Sequence, residues 1–212
     1  MLEIPVASLD AVLQKQVESA RGAVLRGELA RAVETCRQIL HSAPGCLPVR
    51  QLLRESQRRQ REGEGGGGLL GRILGGLTSS RFVLTGRTQL GRDPHKAVET
   101  AEKIIAADPG GAAGHKLLAE AAAALGWRET TVFAWQCASE CAPDDPETLV
   151  ELGSAQLAAG HPADAVRTAE RALKLDPRHP RAQALLKDAS AHGSIQSGRW
   201  NESGDFRGKL KE

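Results

Sequence analysis

Residues 146–177 read PETLVELGSAQLAAGHPADAVRTAERALKLDP, two short amphipathic stretches with a glycine between them and a proline at the end. Leu149, Leu152, Gly153 and Gln156 recur at three- and four-residue spacing, which places them on one side of a helix. Gly160 stops that helix, because glycine adopts the left-handed backbone that a helix end often requires. Pro162 opens the next helix where its missing N–H costs nothing. Asp164 adds a carboxylate to the first turn, beside the positive end of the helix dipole. Ala165, Ala169 and Ala172 mark a face of small side chains on which the first helix can lie close. Asp176-Pro177 ends the unit, since the residue before a proline is biased away from the helical region. A hairpin of this size cannot bury its apolar face alone, so it predicts stacked neighbours.

Those neighbours recur through the chain. Pro109, Pro143 and Pro177 each close an Ala-rich helical stretch and stand 34 residues apart, and Pro44 closes a similar stretch 65 residues before Pro109. The spacing and the residues that keep it resemble the tetratricopeptide repeat family. The last unit carries the family pattern in Leu152-Gly153, Gly160, Ala165, Ala172 and Pro177. The unit before it has Leu118-Ala119, Gly126, Ala138 and Pro143, with Thr131 where the family prefers Ala. Residues 92–109 match through Ala97, Ile104 and Pro109, and the first unit through Gly27, Ala32, Ile39 and Pro44.

The resemblance implies an all-α fold, a right-handed α-solenoid of antiparallel helix hairpins over residues 8–193. Its expected units are repeat 1 at 8–44, repeat 2 at 47–109, repeat 3 at 112–143, repeat 4 at 146–177 and a capping helix at 180–192. Residues 47–62 take the place of the first helix in repeat 2, with Leu53 at a core position. A glycine-rich insertion, 63–91, then separates that helix from its partner. The uninterrupted alternative, with residues 78–90 as first helix, would leave Gly86 in mid-helix and Arg81, Thr85 and Thr88 on a packing face, and it is set aside. Residues 194–212 are expected to be a polar tail.

Composition agrees with a helical array. Hydrophobic residues make up 41% of the 212, aromatic residues only 3%, and Tyr is absent, whereas a sheet protein would call for β-branched and aromatic runs. The formal net charge is +2, but residues 47–92 hold nine Arg and three Glu, a basic block of +6 on a chain that is otherwise slightly acidic. No apolar run reaches the ~20 residues a membrane-spanning helix needs. The N-terminal stretch lacks the basic start and apolar core of a signal peptide. A cytoplasmic location is expected, with a membrane-peripheral one as the alternative.

In the family, the first helices of successive hairpins line a concave groove that holds a partner segment. By position, the resemblance puts there Val17, Arg21 and Val24 from repeat 1, Gln51, Glu55 and Arg58 from repeat 2, Lys116, Glu120 and Ala123 from repeat 3, and Val150, Ser154 and Leu157 from repeat 4. The subgroup that clamps a peptide carboxylate uses an Asn pair, which is missing here. The mixed apolar character favours an amphipathic segment of another protein as ligand. The insertion offers Leu69, Leu70, Ile73, Leu74, Leu77 and Phe82 as a second contact, and the tail offers Trp200 and Phe206. A second copy of the chain is a further expected partner, and a membrane surface is a minor one. Nucleic acid is disfavoured, because no aromatic residue interleaves the arginines.

Catalysis is not expected. The glycines of 63–68 are followed by no GKS or GKT, so they do not form a phosphate loop. Cys137 and Cys141 are four apart on one helix, but no second Cys or His pair at ligand spacing joins them, so no metal is expected. The six histidines are scattered singly. No cofactor motif is present, and the expected role is that of a non-enzymatic scaffold or adaptor.

Overall fold

Every element formed by the described residues is helical. A computed structural model describes residues 3–63 and 83–205, with side chains up to residue 195. After a 3-10 turn at Val6–Ser8 come α1 (Ala11–Leu25), α2 (Leu29–Ser42) and α3 (Leu47–Gly63). Residues 83–90 form α4. The remaining helices are α5 (Pro94–Ala107), α6 (Ala112–Ala124), α7 (Arg128–Cys141), α8 (Pro146–Ala159), α9 (Pro162–Leu175) and α10 (Pro180–Asp205). The chain divides into two compact units, Met1–Ala134 and Trp135–Glu212.

Local chemistry sets the helix ends. Asp10 accepts the Leu13 N–H at 2.8 Å. Asp93 and Asp145 cap helices that open on proline, taking the amide N–H groups of Lys96 and Glu147. Such caps satisfy amides that a helix start leaves without partners. The hairpin turns at Gly27, Gly126 and Gly160 have φ of +77°, +73° and +89°, a left-handed backbone that residues with a side chain rarely adopt.

In the first unit, α2 lies against both α1 and α3. Val17, Ala20, Val33, Cys36, Ile39, Leu40, Val49 and Leu53 form the buried core of this three-helix stack. In the second unit, α9 lies between α8 and α10, and α10 also reaches α8. Ala165, Ala169 and Ala172 are fully buried, so the predicted small-residue face is a helix-packing seam.

Two expectations about boundaries change. The first concerns the hairpin partner of α5. Residues 64–82 lie outside the described residues, but 83–90 are helical, so the part of the expected insertion that borders α5 is not irregular. A tight turn joins α4 to α5: the N–H groups of Arg92 and Asp93 both donate to the Gln89 carbonyl, at 2.9 and 2.7 Å. The Thr100 hydroxyl on α5 donates to Gln89 Oε1 at 2.6 Å. The equivalent bond closes the α8–α9 hairpin, where the Thr168 hydroxyl donates to Gln156 Oε1 at 2.8 Å. Helix α4 is therefore the hairpin partner of α5, in the place the sequence reading gave to residues 47–62. The second concerns the C-terminus. Helix α10 runs to Asp205, past the expected boundary between cap and tail at 193.

The alanine seam makes a direct test. Enlarging Ala165 to Leu forces extra methyl groups into a packed contact and should lower unfolding stability by about 1–3 kcal/mol. Exposed Ala163 on the same helix should tolerate Leu within about 0.5 kcal/mol. Urea denaturation of the two variants checks both values.

Candidate functional site

Small residues bring first helices together in each unit. A Cβ placed on Gly86 of α4 would stand 2.2 Å from Leu117 Cδ2 of α6, and one on Gly153 of α8 would stand 2.6 Å from Leu185 Cδ2 of α10. The two contacts join equivalent helices, because Gly86 precedes Gln89 by three residues as Gly153 precedes Gln156. The sequences VLTGRTQLGRDP and VELGSAQLAAGHP align on those pairs with one residue dropped in the turn. Gly86 in mid-helix, the feature that counted against a helix over 78–90, is the residue that allows the close approach. By this equivalence Val83, Arg87 and Leu90 of α4 correspond to Val150, Ser154 and Leu157 of α8. These three residues were missed, and the paired G-x-x-Q spacing was the signal for them.

The expected groove residues separate into two groups. Val17 (1% exposed) and Val150 (1%) belong to buried core clusters, and Val24 (8%) packs with Ala23 and Ala32. These three are corrected to core residues, since their methyl groups are used up in packing between helices. Arg21 is exposed and pairs with Glu18 at 2.9 Å. Gln51 and Arg58 are exposed, and Glu55 is half-buried and pairs with Arg59 at 2.6 Å. Lys116 and Glu120 are half-buried on α6, and Ala123 is exposed. Ser154 and Leu157 are half-buried, with the Ser154 hydroxyl donating to the Val150 carbonyl at 2.8 Å. Leu69, Leu70, Ile73, Leu74, Leu77, Phe82 and Phe206 lie outside the described residues. Trp200 falls within α10, beyond the last described side chain.

Two arginines of the predicted basic block are not at the surface. Arg50 is 0% exposed and Arg54 9%. Arg50 Nε donates to Glu102 Oε1 of α5 at 3.0 Å, and its Nη2 donates to the Pro44 carbonyl at 2.8 Å. Arg54 donates to the second Glu102 oxygen and to Gln57 Oε1. The Arg50 guanidinium also lies 5.7 Å from the centre of the buried Trp127 ring, whose edge meets His95 at the start of α5. At the other end of α3, a methyl on Gly110 would stand 2.3 Å from Arg61 Nη1. Side chains of α3 thus reach Glu102 of α5 and the Gly110 turn that follows it.

The titration of this cluster follows from its burial. Burial opposes the charge on Glu102, but the Arg54 and Arg50 guanidiniums beside it outweigh that and hold its carboxyl down at about 2. His115, 4% exposed, is pushed down to about 4 by burial, with the Arg54 charge adding to the effect. Burial also raises the Cys36 thiol to about 11 and shifts Cys46 upward, which keeps both as inert thiols at neutral pH. Among the described residues no three His, Cys, Asp or Glu side chains converge as metal ligands. A shallow cleft of about 470 Å³ between α2 and α3 is lined by Glu28, Arg31, Arg59 and Gln60. The Arg31 and Arg59 guanidiniums beside it pair with Glu28 and Glu55.

The fold and these contacts define an all-α helical-repeat protein, built from hairpins that stack through small residues. Residues 138–189 match the family model of the tetratricopeptide repeat. A structure of the first such domain of Spaghetti (RPAP3) bound to the HSP90 peptide SRMEEVD is 19% identical, with a TM-score of 0.51, over 55% of this chain and 93% of that one. The solution structure of the first such domain of human RPAP3 is 18% identical, with a TM-score of 0.52, over 57% and 95%. No curated protein matches the chain. The match to the tetratricopeptide-repeat model is confined to residues 138–189, and over the wider chain the likeness is one of fold, an all-α array of helix hairpins.

The buried cluster predicts a pH dependence of stability. His115 is neutral in the folded protein but gains a proton in the unfolded chain below its ordinary value of 6.5. Stability therefore falls as pH drops from 6.5 toward 4. Glu102 adds stability above its ordinary 4.5 that is lost as pH falls from there toward 2. Tm measured against pH should show both declines, and His115→Gln should flatten the first. Glu102→Gln, which strands two buried guanidiniums, should cost about 3 kcal/mol or more at pH 7.

Proposed function

We propose that the chain is a non-enzymatic interaction scaffold, and that it holds an amphipathic segment of a partner protein against the exposed faces of its first helices. One observation carries the reading: the glycine contacts set α4 beside α6 and α8 beside α10, so each unit presents two adjoining first-helix faces. In the second unit this face offers Ser154 and Leu157. In the first it offers Lys116, Glu120 and Ala123, together with Val83, Arg87 and Leu90. The fold it shares with a domain that binds an HSP90 peptide supports a segment of another protein as the ligand. Rigid helices that need little ordering on binding lower the entropic cost of capture. Residues 63–82 supply a second contact in this reading. No helix of the described residues is long and apolar enough to cross a membrane, and a membrane-peripheral site is the lesser alternative.

The test compares full-length variants as baits in native lysate, with circular dichroism confirming the fold of each. Leu157→Asp should remove at least nine-tenths of a near-stoichiometric partner. Arg171→Glu, on the exposed side of the second helix α9, should leave it in place. Equal capture by both would exclude the first-helix face, and loss only on deleting residues 64–82 would move recognition to that segment. Co-sedimentation with anionic vesicles in place of protein capture would favour the membrane alternative.

A further inference from the structure

The N-terminal segment makes a contact that the repeat pattern does not call for. Helix α7 begins at Arg128, so its cap position falls on Trp127, whose indole can donate a hydrogen bond but not accept one. The acceptor comes from the far end of the chain. The Glu3 carboxylate takes the Glu129 N–H at 3.1 Å on one oxygen and the Thr130 N–H on the other. These amides are the second and third of the helix, the pair that a Ser or Asp at the cap position ordinarily satisfies. A carboxylate there is further favoured by the helix dipole.

The segment is seated along its length as well. The Ile4 N–H donates to the Gly45 carbonyl in the α2–α3 turn at 3.0 Å. The Ile4 and Val6 side chains pack on the core of α1–α3. Glu3, Ile4 and Val6 are only half-buried and Pro5 is exposed. Residues 3–5 therefore lie on the surface ahead of the Val6–Ser8 turn, and the segment is held by three backbone-directed hydrogen bonds and the Ile4 and Val6 side chains. The Thr130 hydroxyl, in a residue that is 0% exposed, has no hydrogen-bond partner there.

We propose that residues 3–6 are a displaceable latch. Their seat, formed by the first turn of α7 and the Gly45 carbonyl, is a docking site for an extended partner segment with a carboxylate residue followed by a branched aliphatic one. The tethered Glu3-Ile4 pair occupies the site in cis, and its high effective concentration keeps free segments out. A competing segment displaces it when the carboxylate is removed or when that segment is itself tethered nearby. The site is separate from the first-helix faces, so its failure would leave the groove reading intact.

The test uses the full-length chain and its Glu3→Gln variant. A fluorescent peptide of residues 1–9, MLEIPVASL, should bind the variant at least tenfold more tightly than it binds wild type. The same peptide carrying Gln in place of its Glu should lose that binding. Amide hydrogen exchange at Glu129 and Thr130 should quicken in the variant and slow again when the peptide is added. Equal affinity for both proteins, or no saturable binding to either, would overturn the proposal. So would faster exchange in the variant that the peptide does not reverse, since Glu3 would then be a fixed cap with no site beneath it.

Discussion

The structure depends on how closely its helices can approach one another. The α9 alanines Ala165, Ala169 and Ala172 are fully buried, and Gly153 of α8 leaves room for Leu185 of α10 where a larger side chain would collide. The part-buried Thr168–Gln156 bond then ties the register of the two helices, as Thr100–Gln89 does in α4–α5. An unsatisfied hydroxyl or amide at such a contact would cost about 1–3 kcal/mol, so this pairing excludes neighbouring registers. A core almost free of aromatic residues can be stable on this basis, because many small contacts replace a few large ones.

Charge does the same work between α3 and α5. Helix α3 ends the first three-helix stack, yet its arginines reach α5, which belongs to the next hairpin. No alanine seam joins them. Two buried guanidiniums share one carboxylate instead, and Trp127 covers Arg50. The arrangement is demanding, because burying charge costs several kcal/mol per ion unless the partners are well placed. It gives specificity in return. Arg50 and Arg54, about one helical turn apart on α3, converge on the single Glu102 carboxylate.

The exposed faces left after this packing are modest in size and mixed in chemistry. Lys116, Glu120, Ser154 and Leu157 keep part of their surface, while Val17, Val24 and Val150 are taken up by the core. The N-terminal segment packs on the chain itself, with Glu3 on the start of α7 and Ile4 and Val6 against apolar surface.

The amino-acid sequence alone determined the helices and the hairpin turns, because both are local. Apolar periodicity, Asp-Pro starts and Gly160-type stops each act within a turn or two, so they could be read from residues 146–177 and carried to the other units. The equivalence of Gly86 with Gly153 was also written in the sequence, but it was obscured by a residue dropped from the turn before Pro94. Only the tertiary structure decided which helix pairs with which. Residues 47–62 have sound helical periodicity, and periodicity belongs to one helix without naming its neighbour. The contacts that settle the matter join residues far apart in the chain: Arg50 to Glu102, Gly86 to Leu117, and Glu3 to Thr130. Burial was undecidable from sequence for the same reason. Arg50 and Arg58 look alike in a basic helix until Glu102 and Trp127 arrive to cover one of them and leave the other in water.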